Sequence, residues 1–256
     1  MVQKLLAGVA LAFVAILPQS QAHADSCSPV PADNSGYCDP TIGNCIAQSG
    51  GQDIDPGGTT LWPQTASSTI SVFNPSPVYL GVSVWVMLDQ QSSPGRPYAQ
   101  IGYEHRNHLS YNDVVFAQWT DNNGGSITTK LFETLAGGGS DRFIVNRFPN
   151  TGRFQVEDAQ TSYDLPTSVT WGPDTTDYRS EMDTYYNGQG DHVMGNASSP
   201  VSFTGTQWTD QHGRSYAEYL SYFAAKGDYD RAGTAKFMNL YNWDSSQFEV
   251  WDSRCW

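Results

Sequence analysis

The sequence predicts an all-β protein built as an antiparallel β-sandwich. Two stretches, Tyr79–Tyr103 and Tyr178–Tyr185, alternate side chains with the period of two that marks strands. Short strand patterns recur from Thr69 to the C-terminal end, separated by clusters of Gly, Pro, Asn and Asp. No strand–helix–strand rhythm interrupts them, so a parallel sheet is not expected.

The elements follow in order. Residues 1–24 read as a signal peptide, with Lys4, an apolar run from Leu5 to Leu17, and the small-x-small site Ala22-His23-Ala24. An apolar run of about 13 residues is shorter than the roughly 20 that span a bilayer. A secreted chain starting near Asp25 is expected, with no membrane span after it. Residues 25–68, rich in Gly, Pro, Ser, Asp and Gln, read as a disulfide-pinned N-terminal segment, and 69–256 as the sandwich domain. Strands are predicted at 69–74, 78–88, 97–106, 113–120, 126–133, 141–147, 152–157, 167–171, 177–186, 200–206, 236–242 and 247–252. Turn signals such as Asn74-Pro75-Ser76-Pro77, Ser93-Pro94-Gly95 and Asn150-Thr151-Gly152 punctuate them. Ser215–Lys226 departs from the pattern. Its helix formers, stopped at Gly227, favour a short surface helix, although its alternating aromatics also suit a strand.

Composition narrows the function classes. The expected mature chain carries 12 basic against 26 acidic residues, a net charge of −14. Nucleic acid needs Lys and Arg for its phosphates, and anionic membranes attract basic patches, so neither is an expected partner. The acidic surface suits a soluble secreted protein, and a monomer is expected. Cys27, Cys38, Cys45 and Cys255 suggest two disulfides in an oxidising compartment. Three cannot pair among themselves, so Cys255 is expected to bridge to one of the other three. No C-x-x-C spacing points to zinc, and neither metal nor other cofactor is expected.

The alternating faces define the candidate site. Leu80, Val82, Val84, Val86 and Leu88 share one face and should be core. Ser83, Trp85, Met87 and Asp89 share the other. Tyr98, Gln100, Gly102 and Glu104 share a face of the next strand. Arg179, Glu181, Asp183 and Tyr185 share one of the distant strand. If these faces line one sheet, they form a groove of carboxylates, a glutamine and aromatics. There Glu181 could take a proton from water while the Gln100 amide stabilises a tetrahedral oxyanion. Gln100 cannot ionise, so it adds no like charge beside Glu181. Ordinary polar residues on a solvated sheet face would look the same.

The segments W-V-M-L-D at 85–89, A-Q-I-G at 99–102 and F-A-Q-W at 116–119 resemble the fungal glutamic peptidases, the eqolisins. Those carry W-V-G-I-D, L-Q-x-G and A-W-Y-E-W in the same order and at similar spacing. Y-A-Q-I-G-Y is also similar to the E-A-G-W segment of neprosin-type glutamic peptidases, with Gln in place of Glu. The resemblance covers roughly residues 78–206 and implies a concanavalin A-like sandwich, or jelly roll. It matches Gln100 to the eqolisin glutamine, with Glu181 as the candidate glutamate. Trp85, Asp89, Gln118, Trp119 and Asp183 are the candidate substrate-binding residues. The departures are Met87 for Gly, Gln118 for Glu, and Ser180-Glu181-Met182 where eqolisins have A-E-W. The chain also resembles secreted actinobacterial proteins that end in a strand like Phe248–Asp252.

Other motifs are weaker. Glu181-Met182-Asp183-Thr184-Tyr185-Tyr186 resembles the E-x-D-x-x-E signature of β-glucanases, but Tyr186 replaces the second catalytic glutamate. His105 and His108, beside Glu104, read as solvated loop histidines rather than metal ligands. Asp121–Gly125 reads as a hairpin turn rather than a calcium loop. The eight Trp and fourteen Tyr suit core packing, sugar stacking or peptide binding. The expected function is a secreted glutamic-peptidase-like hydrolase acting in acid, on polypeptide. Alternatives are a lectin-like module that binds polysaccharide without catalysis, and a secreted structural protein with an inert groove.

Overall fold

The computed structural model describes residues 37–39, 44–54, 61–72, 81–106, 113–135, 138–185, 195–217, 221–226, 238–244 and 246–252. They form two antiparallel sheets. The first follows the order β1 (Tyr37–Asp39), β2 (Asn44–Ile54), β11 (Thr175–Tyr185), β4 (Gly81–Asp89), β5 (Tyr98–Arg106), β6 (Asp113–Thr120) and β7 (Ile127–Leu135), and β15 (Ser221–Lys226) also pairs with β2. The second runs β10 (Ser162–Asp164), β9 (Phe154–Glu157), β8 (Ser140–Arg147), β3 (Pro63–Ser71), β13 (Ser199–Asp210), β17 (Gln247–Asp252) and β16 (Met238–Asp244). Two short strands, β12 (Gly195–Asn196) and β14 (Ser215–Ala217), flank β13. Among the described residues, no helix is long and apolar enough to cross a membrane.

The core lies between the sheets and follows the alternation. Val82, Val84, Val86 and Leu88 of β4, Ala99, Ile101 and Tyr103 of β5, and Tyr178 of β11 meet Ile70, Phe143, Val145, Phe203 and Val250 of the second sheet. Leu80 lies outside the described residues. Two tyrosines join the sheets by hydrogen bonds as well as by area. Tyr103 donates to the Ser71 carbonyl at 2.7 Å, and Tyr178 to the Gln207 carbonyl at 3.0 Å. A buried phenol stays favourable only when its hydroxyl finds such a partner.

Three expectations are corrected here. Ser215–Ala217 and Ser221–Lys226 are strands rather than helix: β14 pairs with β13 and β15 with β2. The alternating aromatics decide this, since Tyr216 stacks on Trp208 at 4.5 Å across the β13–β14 pair. The sandwich also begins before residue 69. β2 lies inside the first sheet and β3 inside the second, so polar, Gly-rich composition concealed two strands. Finally, 167–171 is not a strand. Leu165, Val169 and Trp171 are buried there, but through a turn that follows β10.

Candidate active site

Pairing register aligns the outer face of the first sheet into rows. Gln100 lies opposite Met87 on one side and Gln118 on the other, and Met87 lies opposite Asp177. One row therefore reads Gln118, Gln100, Met87, Asp177 across four strands. The next row reads Phe116, Gly102, Trp85, Arg179 and Gly50. Asp89 begins the row on the other side, opposite Tyr98 and Thr175. Trp85, Met87 and Phe116, with Tyr98, pack into a second apolar cluster separate from the core. The expectation that Trp85 and Met87 turn away from Val84 and Val86 therefore holds.

Gln100 is held in place by Gln118. Its Nε2 donates to Gln118 Oε1 at 3.3 Å, and the Tyr98 hydroxyl donates to the same oxygen at 2.6 Å. Gln118 Nε2 in turn donates to Thr129 Oγ1 at 3.0 Å. The chain Thr129–Gln118–Gln100 thus sets which end of the Gln100 amide points along the row. One N–H of Gln100 remains beyond the bond to Gln118.

The acidic end of the site is dense. Asp177 is fully buried, and both of its oxygens are engaged by Arg179, with the Nε bond at 2.6 Å and the second through Nη2. Asp174 accepts from the Gln91 and Ser92 backbone N–H groups at 2.8 and 3.1 Å. Asp89 is 6% exposed, and its Oδ1 is buried without a hydrogen-bond partner. Burial, then the neighbouring Asp177 charge, pushes the Asp89 carboxyl up to about 8, against the opposing pull of Arg179.

The sequence-predicted residues divide. Gln100, Trp85, Asp89 and Gln118 share the outer face. Trp119 does not: it lies in the inter-sheet core, 6.0 Å from the Tyr163 ring, because the period of two sends it opposite to Gln118. Glu181 pairs with Ser83, in the row of Glu104, and Asp183 lies two residues further along, opposite Ile46. The Glu181 backbone is thus four residues along from the row of Gln100, about 13 Å in the strand direction and about 10 Å across two strands. The carboxyl in that row is Asp177, which the sequence reading passed over. Its signal was the dipeptide Asp177-Tyr178, an acid followed by an aromatic, as in the E-W of the eqolisin motif.

Two turn and loop readings are also settled. His105 is buried rather than solvated, with Nδ1 3.3 Å from Asp113 Oδ1, because β5 continues to Arg106 and turns His105 toward the core. His108 lies outside the described residues. Asp121–Gly125 is a hairpin turn, its Asp121 Oδ1 accepting from the Asn123 and Gly125 N–H groups at 3.0 Å each.

Comparison with solved structures places this architecture. Scytalido-glutamic peptidase bound to a peptide-based transition-state analogue superposes with a TM-score of 0.57. The match has 14% identity and covers 80% of this chain and 98% of that one. SCP-B, a member of the eqolisin family in complex with the tripeptide Ala-Ile-His, gives 0.56 at 14% identity, with the same coverage. The chain has the glutamic-peptidase fold. No family model matches the sequence, and no curated protein does. At this identity the likeness concerns the glutamic-peptidase fold alone, a two-sheet β-sandwich.

Proposed function

We propose that this chain is a secreted hydrolase of polypeptides, a glutamic-peptidase-like enzyme in which the carboxylate partner of Gln100 is Asp177. The observation that carries the reading is the shared row Gln100–Met87–Asp177 on the outer face of a glutamic-peptidase sandwich. Water between the two groups loses a proton to Asp177 as its oxygen attacks the scissile carbonyl. The free N–H of Gln100 stabilises the resulting oxyanion. Arg179 engages both Asp177 oxygens and so fixes the carboxylate in the row. Exposed Ile127 and Leu131 lie in rows with Thr120 and Phe116, giving the β7 side of this face an apolar border suited to peptide side chains.

Glycan binding is less well supported. Sugar rings stack on open aromatic faces, whereas Trp85 and Phe116 are 4% and 3% exposed. The test is hydrolysis of a denatured protein substrate across pH 2 to 8, with chelators and with serine and cysteine reagents. Cleavage insensitive to all three is expected. Gln100→Ala should cost on the order of 10²–10³ in kcat, as loss of an oxyanion donor does elsewhere. Asp177→Asn should abolish turnover, while Glu181→Gln should keep it. The opposite outcome for these two carboxyl variants returns the role to Glu181. A wild-type protein that cleaves nothing, yet is retained on a polysaccharide column, is a lectin-like module.

A further inference from the structure

We propose that Asp89 is the proton-carrying carboxyl of this site, delivering its proton to the leaving amine when the peptide bond breaks. The inference rests on the peptidase reading and adds a third group to it. Its ground is placement. Gln100 and Asp177 both lie opposite Met87, one on each side of β4. Asp89 is the next residue of β4 on that face, and so is diagonal to both at about 7–8 Å, within side-chain reach. The other residue of β4 diagonal to both is Trp85, which cannot donate to a departing amine as an acid does.

Charge compensation separates the acids. Asp177 has the Arg179 guanidinium on both oxygens. Asp174 has two backbone N–H groups and the Thr175 hydroxyl at 3.0 Å. Among the described residues, the groups facing Asp89 are Asp177 and Arg179 of β11, Asp174 before it, Gln91 in the β4–β5 turn, and Tyr98 of β5. Three carboxyls thus share one guanidinium, which is already committed to Asp177. Asp89, buried and with Oδ1 unpartnered, is where a proton settles. The raised affinity of this carboxyl for protons agrees with that placement.

The step balances. Asp177 gains the proton of the attacking water, and the water oxygen bonds to the carbonyl carbon. The oxyanion then collapses, the C–N bond breaks, and nitrogen takes the Asp89 proton and leaves as an amine. Asp177 is left protonated and Asp89 ionised, and exchange with solvent restores both. No oxidant, metal or further reactant enters.

Two measurements test this. The first is carbon-13 NMR of Asp-labelled wild-type protein through a pH titration, with Asp89→Asn to assign the signal. A side-chain carboxyl that titrates well above the ordinary aspartate range should vanish in that variant. An Asp89 carbon that titrates with ordinary aspartates overturns the proposal whether or not the protein is active. The second is the pH–rate profile on a peptide substrate. Asp89→Asn should lower kcat on the order of 10²-fold with little change in KM, and remove the alkaline limb of the profile. If wild-type protein cleaves and Asp89→Asn keeps both kcat and the limb, Asp89 is not the donor and the Gln100–Asp177 reading stands alone. If wild-type protein cleaves nothing at any pH, both readings fall together.

Discussion

Replacing Gly102 by alanine should loosen the site by forcing apart the two strands that carry it. A Cβ on Gly102 would sit 1.8 Å from the Val84 carbonyl oxygen and 2.7 Å from the Trp85 Cα. Both are backbone atoms, so no side chain can swing away. Restoring ordinary contact requires a shift of roughly 1.5 Å, a large fraction of the strand spacing of about 4.8 Å. That shift breaks the β4–β5 ladder where Trp85 meets Gly102, two residues from Gln100. Overpacking a core costs about 1–3 kcal/mol, and backbone collision puts this case at about 3 kcal/mol or above. For chains of about 150–250 residues, 1 kcal/mol moves Tm by roughly 2–4 °C, so a drop of roughly 6–12 °C is expected. The assay is thermal unfolding followed by circular dichroism, with Gly139→Ala as the control. A Cβ at Gly139 meets nothing within 4 Å, and that variant should melt within about 2 °C of wild type. Should Gly102→Ala also melt within about 2 °C, the close approach of β4 and β5 is not as described, and the row alignment around Gln100 falls with it.

Three further outcomes follow from the same geometry. Tyr178→Phe leaves the Gln207 carbonyl without its donor between the sheets, and should cost about 1–3 kcal/mol, seen as a lower urea midpoint at unchanged slope. An unchanged midpoint would mean that this bond does not join the layers. Stability should fall as pH rises from about 4 to about 8. Asp89 binds its proton more tightly folded than unfolded, so the native state gains from protonation below its raised pKa and loses that gain as pH climbs through it. Burial of Asp113 and Asp141 acts in the same direction. Asp89→Asn should narrow the difference in Tm between pH 5 and pH 8, and an unaltered difference would count against the buried acid. Finally, β1 and β2 pair with Cys38 opposite Cys45. Opposed Cα atoms in an antiparallel ladder lie about 4.5–5.5 Å apart, inside the range that disulfides bridge. Non-reducing peptide mapping should recover Cys38 joined to Cys45, and by remainder Cys27 joined to Cys255. Cys38 recovered with any other partner contradicts this.

The sequence by itself determined the layer architecture and the faces of its strongest strands. Val82 to Leu88 alternate with Ser83 to Asp89 because a strand sends successive side chains to opposite sides, a local property that needs no partner. The same rule makes Gln100 and Asp89 residents of one outer face. It would also have put Trp119 in the core, had it been applied to Gln118 and Trp119 together. What local pattern could not decide is which residues of distant strands stand opposite one another. Gln100 and Asp177 are 77 positions apart, and only the pairing of β11 with β4 puts them in one row, leaving Glu181 in another. A register shift of two residues keeps every side chain on its own face while changing every neighbour, so periodicity cannot choose between Asp177 and Glu181. Composition failed in the same way for β2 and for Ser215–Lys226. Gly50 and Gly51 look like loop residues until β11 and β15 pack beside them, and helix formers become strand when an open sheet edge offers hydrogen bonds. Burial decided the rest. The raised proton affinity of Asp89 comes from its burial and then from the Asp177 and Asp174 charges, against the pull of Arg179, an arrangement that exists only once the strands have paired.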